Sequence, residues 1–176
     1  TLERTKAAAN KFKLPVDRFL ACAPSSSHVF FKIMEARHGV TLLDQQGDDL
    51  GARMAQAFAA LFARGYRYIV VVGTDVPSLP LTHYRDAVQS LTRHDLILGP
   101  ATDGGYYLIG MTAPHPDLFK DIPWSTNQVL ARTQEKATAA GLKSALLPVW
   151  SDVDTLDDLQ ALIDECAADK KRPKQE

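Results

Sequence analysis

The run Tyr68-Ile69-Val70-Val71-Val72, which stops at Gly73-Thr74-Asp75-Val76-Pro77, constrains this chain more than any other segment. A β-branched stretch without polar alternation belongs to a strand covered on both faces, which predicts an interior parallel strand flanked by helices. The segment before it agrees. Leu50, Met54, Ala57, Phe58, Leu61 and Phe62 fall on one face of a helix read from Asp49 to about Arg64, with Gly65 as its stop.

The same alternation runs along the rest of the chain. Residues 2 to 12 read as helix, Phe19–Ala23 as a short strand ended by Pro24, and 27 to 37 as helix with Gly39 at the C-cap position. Val40–Leu43 is the next strand. Tyr84, Ala87, Val88 and Leu91 form a helical stripe. Leu96–Leu98 and Tyr106–Ile109 are strands that an antiparallel pairing around Asp103-Gly104-Gly105 would join. Ser125 and Gln128 have capping-box spacing for a helix reaching toward Ala140. Leu146–Val149 is a late strand, and Leu156, Leu159, Leu162 and Ile163 mark a final helix. The fold class is therefore α/β: a three-layer, open, mixed and mainly parallel sheet with helices on both faces. With 176 residues, one domain over 1–168 and a charged tail over 169–176 are expected.

Composition narrows the partners. A net charge of −1 supplies no long-range attraction to nucleic acid or anionic membrane, so a small-molecule partner is expected. The longest apolar run is too short to insert into a bilayer, and no signal peptide opens the chain. Cys22 and Cys166 form no metal-type pair and read as buried thiols of a cytoplasmic protein. The 5 histidines lack ligand spacing, and there is no GxSxG elbow, Walker loop or GxGxxG.

Open α/β sheets bind ligands beyond the carboxyl ends of their strands. Acidic loops fall there: Asp48 and Asp49 after Val40–Leu43, Asp75 after Val72, Asp103 after Leu98, and Asp152 and Asp154 after Val149. Such carboxylates repel one another unless a hard divalent cation, Mg2+ or Mn2+, neutralises them. Structural duties compete at most of these positions. Asp49 can cap its helix, Asp154 or Thr155 can do the same, and Asp103-Gly104 is a common turn pair. Asp75 is the hardest to assign to capping, since it directly follows the apolar strand and is held by Pro77. Trp124 and Trp150 adjoin polar loops and suit either core packing or ligand stacking.

Five motifs in order, Gln46-Gly47-Asp48-Asp49-Leu50-Gly51-Ala52-Arg53-Met54, Gly73-Thr74-Asp75-Val76-Pro77, Gly99 to Gly110 around Asp103-Gly104-Gly105, Ile122-Pro123-Trp124-Ser125-Thr126 and Asp152-Val153-Asp154-Thr155, give the chain a family likeness. Over about residues 40 to 160 it resembles the bacterial GT-A-type glycosyltransferases associated with arsenosugar biosynthesis, in the nucleotide-diphospho-sugar transferase superfamily. It is similar, more distantly, to the molybdenum-cofactor and phospholactate guanylyltransferases.

The resemblance implies a metal-dependent transferase taking a nucleotide sugar and a small-molecule acceptor. It places the metal on Asp75 with Asp152 or Asp154. It puts Gln46, Gly47, Asp49, Gly51, Arg53 and Thr74 at the nucleotide, and Gly104, Gly105 and Trp124 at the sugar or acceptor. Asp103 is then the candidate base. Family members open with a strand and a basic phosphate loop that Thr1–Leu14 does not match, so the domain reads as N-terminally incomplete. A nucleotidylyltransferase and a non-catalytic binding domain are the alternatives.

Overall fold

The computed structural model describes residues 1–153, 155, 156, 158–160 and 162–164. Asp154, Cys166 and the 169–176 tail, each assigned a role or character by the sequence, lie outside the described residues. The elements alternate as expected: α1 (Leu2–Phe12), β1 (Phe19–Cys22), α2 (Val29–His38), β2 (Thr41–Asp44), α3 (Leu50–Ala63), β3 (Ile69–Val72), α4 (Leu81–Ser90), β4 (Leu96–Pro100), β5 (Tyr106–Met111), α5 (Val129–Ala139) and β6 (Ser144–Leu146). A 3-10 turn at Pro116–Phe119 and helical residues at 156, 158–160 and 162–164 complete them.

The strands form two sheets. β1 pairs with β2 in parallel, and the larger sheet has the order β3-β5-β4-β6. Within it β4 and β6 run parallel, while β5 runs antiparallel to both β3 and β4. Three of these four strands thus share one direction, and the α/β class expected from the sequence is the one found.

Two apolar layers explain the alternation. Leu96, Leu98, Ile109, Met111 and Ile69 pack with Phe58 and Leu61 of α3 and with Leu118, Phe119 and Ala137. Ile97, Leu108 and Leu147 pack on the opposite side with Ala8 of α1 and Tyr84, Ala87 and Leu91 of α4. β4 is buried at every position.

The expectation of an interior parallel strand at 69–72 needs correction. β3 stands at the end of its sheet, and its sheet neighbour, β5, is antiparallel. The physical reason is visible in the packing. Ile69 and Val71 join one apolar layer while Val70 and Val72 join the other. An unbroken apolar run reports two covered faces and says nothing about neighbours along the edges.

The capping box at Ser125–Gln128 also does not form. Gln128 is the N-cap residue of α5 without a side-chain cap bond, and Ser125 sits in the left-handed region at φ 62. Thr126 organises the turn in its place, donating to the Pro123 carbonyl at 2.7 Å and accepting from the Gln128 N–H at 3.3 Å. The late strand lies two residues earlier than expected, at Ser144–Leu146, sharing only Leu146 with the expected span, and an isolated bridge between Trp150 and Ala101 follows it.

Candidate functional site

β3, β4 and β6 run the same way, so the segments after them, 73–79, 101–105 and 147–153, gather at one edge of the sheet. A bulge ties them together. The β4–β5 register shifts at Gly99/Pro100, skipping Tyr107. A bulge re-aims the extra residue, and here it is Tyr107. Its carbonyl accepts from the Gly73 N–H at 2.9 Å, and its hydroxyl donates to the Pro148 carbonyl at 3.0 Å. Burial pushes the Tyr107 hydroxyl well above its ordinary range, so it stays a donor. The ring lies over Gly99, where an added Cβ would come within 2.4 Å of it, so the position needs glycine.

Asp75 is exposed at the end of β3, above a loop fixed by the fully buried Val76 and Leu79. One carboxylate oxygen accepts from the Thr74 hydroxyl at 3.1 Å. The Val153 N–H donates to the Asp75 carbonyl at 2.9 Å, which brings the segment carrying Asp152 alongside. Trp150 makes the second link, its indole N–H donating to the Ser78 hydroxyl at 3.1 Å.

The Gln46–Arg53 segment folds onto itself at the start of α3. The Asp49 carboxylate accepts from the Ala52 N–H at 2.7 Å, so Asp49 does cap the helix. Arg53 donates to the Gly47 carbonyl at 3.1 Å, and the Gln56 side chain reaches that of Gln46. Gly47 has φ 133, a conformation open to glycine alone among ordinary residues.

Gly51 joins this segment to the loop that carries Trp124. A Cβ at this position would stand 2.8 Å from the Trp124 indole nitrogen. The Trp124 ring meets Tyr106 edge-on with centroids 6.4 Å apart. Next to them Gly104, at φ 89, leaves no room for a Cβ above the Asn127 backbone. Asp103, an exposed residue, accepts from the Gly105 N–H at 2.8 Å through one carboxylate oxygen, which closes the turn.

The structure therefore links Gln46–Arg53 to Trp124 through Gly51, and Trp124 to the end of the Asp103–Gly105 turn through Tyr106, and it sets Thr74–Asp75 beside 150–153. Tyr106 and Tyr107, at the start of β5, connect the two groups. Sequence reasoning missed Asn127 and Ser78, which lie in no motif, and gave no role to Tyr107 within the Gly99–Gly110 motif. It also missed Asp44, whose carboxyl hydrogen bonds from Ser26 hold below the ordinary 3.8, tying the loops after β1 and β2.

Among the described residues no three His, Cys, Asp or Glu side chains gather into a metal cage. Mg2+ at phosphates, however, takes one or two carboxylates and completes its shell with phosphate oxygens and water. Asp75 beside the Asp152 segment is a partial set of that kind, and its chemistry, oxygen alone, fits a hard cation. No helix among the described residues is long and apolar enough to cross a membrane.

The family described as "Uncharacterized protein conserved in bacteria (DUF2064)" matches residues 6–126. A solved structure from Desulfovibrio desulfuricans G20, described as a "putative nucleotide-diphospho-sugar transferase", is 34% identical with a TM-score of 0.80, covering 92% of this chain and 71% of that one. Molybdopterin-guanine dinucleotide biosynthesis protein A from Archaeoglobus fulgidus is similar at a TM-score of 0.54 and 15% identity, covering 94% of this chain and 86% of that one, a likeness of fold alone. No curated protein matches.

Proposed function

The chain belongs to the DUF2064 family, and from that premise we propose that it is a metal-dependent glycosyltransferase moving a sugar from a nucleoside-diphosphate donor to a small-molecule acceptor. The observation that carries this reading is the exposed Asp75 at the carboxyl end of β3, with the 150–153 segment hydrogen-bonded beside it. The likeness to a protein described as a nucleotide-diphospho-sugar transferase supports it.

Breaking the bond between sugar and nucleoside diphosphate leaves charge on the pyrophosphate. A divalent cation on Asp75, with Asp152 or Asp154 as its further carboxylate, would supply Lewis-acid stabilisation of that charge. The remaining steps belong to the protein's own groups. The Gln46–Arg53 segment, held by its internal bonds, offers a preformed surface for the base, with Thr74 near the phosphates. Trp124, Gly104 and Gly105 shape the sugar side. Asp103 can take the proton of an acceptor hydroxyl through the oxygen its turn does not use, given hydrogen-bond reach.

Product analysis tests this. The protein is incubated with Mn2+ and a panel of sugar nucleotides, and separately with nucleoside triphosphates. Release of nucleoside diphosphate together with transfer or hydrolysis of the sugar is expected. Release of pyrophosphate from a triphosphate would replace the reading with nucleotidylyl transfer. Binding without any product would leave a non-catalytic binding domain.

A further inference from the structure

Trp150 enters the reading above only as a link between segments, yet it touches several parts of the site edge at once. Its backbone N–H donates to the Pro100 carbonyl at 3.0 Å, and it forms a parallel bridge with Ala101 at the end of β4. Its indole N–H crosses to the Ser78 hydroxyl in the loop after β3. Its ring stands edge-on to His83 of α4 at 5.5 Å, and His83 in turn packs against Tyr107 at 6.0 Å. Three residues further on, Val153 bonds to the Asp75 carbonyl.

The geometry points to Trp150 as a positioning residue: its indole N–H, through Ser78, sets the distance between the Asp75 loop and the segment carrying Asp152. This rests on the assignment of Asp75 to the cation and pyrophosphate.

Two features favour a positioning role over simple packing. The Asp75 loop is already anchored from the other side, where the Thr1 hydroxyl donates to the Thr74 carbonyl at 2.7 Å and Arg4 donates to the Leu79 carbonyl. Val76 and Leu79 are buried beneath it. That loop would therefore keep its place without Trp150. The 147–153 segment is different: Leu147 is buried in the apolar layer, but beyond it Val149 is 59% exposed, and hydrogen bonds at Pro148, Trp150 and Val153 tie the segment to its neighbours. Of the bonds tying this segment to the Asp75 loop, one is the indole bond and one the Val153 amide bond. A cation needs ligand oxygens placed within a few tenths of an ångström, so a segment loosened by one bond loses affinity before it loses fold.

The test uses Trp150→Phe, which keeps an aromatic ring against His83, together with Ser78→Ala, their double variant and Ser78→Thr, which retains the hydroxyl. Two readouts are taken: Mn2+-dependent binding of UDP and GDP, and hydrogen exchange at the Val153 amide. Each single loss variant is expected to weaken Mn2+-dependent binding about fivefold, the equivalent of one ordinary hydrogen bond, and to speed Val153 exchange by a similar factor. The double variant should be no weaker than either single one, because both remove the same bond. Ser78→Thr should behave as the parent. Unchanged Val153 exchange in Trp150→Phe, or additive effects in the double variant, would overturn the positioning role. If the parent binds neither nucleotide, the assignment of function fails and the inference with it, whereas faster Val153 exchange would still identify the bond as the one that holds the segment.

Discussion

The two sheets of this molecule are built to different standards. In the four-stranded sheet β4 is buried at every position and β5 at all but its first, with helices packed on both faces. In the two-stranded sheet a single residue of each strand is buried, Cys22 and Leu43, and the helix between them exposes Val29, Phe30 and Ile33. Burial is the main source of stability, so the first sheet should unfold only with the whole domain, while the second opens locally at lower cost. The site draws on both. Asp75, Asp103 and Trp150 follow the rigid sheet, and the Gln46–Arg53 segment follows the weaker one, tied to the rest through Gly51 and Trp124.

The largest expected contrast comes from core truncation. Leu98→Ala, at a fully buried position of β4, should cost about 3–4 kcal/mol. Leu42→Ala, at a half-buried position of β2, should cost about 1 kcal/mol. Urea titration of both variants reads the difference, and equal costs would break the comparison.

A smaller effect sharpens the link between the halves. Within helix α3, alanine is intrinsically better than glycine by about 1 kcal/mol. At Gly51, however, a Cβ would lie 2.7 Å from the Phe119 carbonyl oxygen and 2.8 Å from the Trp124 ring. Overpacking of that kind costs about 1–3 kcal/mol. Gly51→Ala should therefore destabilise by roughly 1 kcal/mol and weaken nucleotide binding, since the indole must move. A gain in melting temperature would show the contact to be loose.

The smallest effect is one of pH. His83 is 7% exposed, and burial holds its pKa below the ordinary 6.5, with Asp86 opposing the shift. Below pH 6.5 the unfolded chain takes up a proton that the folded one resists, so stability falls with acidification until pH passes the folded value. Melting curves between pH 7 and 5 should show a steeper loss for the parent than for His83→Gln. Parallel curves would mean that His83 is not the group responsible.

Much of the fold was legible because apolar periodicity reports face coverage. The bounds of α1, α3, β1 and β5 follow it closely. What periodicity cannot report is which strand lies beside which, so β3 was expected inside a parallel arrangement and stands at the end of an antiparallel pair. The site shows the same division. Chemically distinctive residues such as Asp75 and Asp103 stood out by type and place. Tyr107, Ser78 and Asn127 act through a bulge, a hydroxyl acceptor and a backbone surface, which exist only once the chain is folded. Asp49 shows the limit from the other side, its acidic character being explained at least in part by a helix cap.

The account stands or falls on Asp75. Thermal melts of the parent and of Asp75→Asn, each with and without Mn2+ and a nucleoside diphosphate, test it most directly. Ligand at about 100 times Kd stabilises a folded protein by roughly 2.7 kcal/mol, which in a domain of this size raises Tm by roughly 5–10 °C. The account predicts that rise for the parent and its loss in Asp75→Asn, with the ligand-free melts within about 0.5 kcal/mol of each other, as for an exposed side chain. An equal ligand-dependent rise in both proteins, or none in the parent, would contradict it.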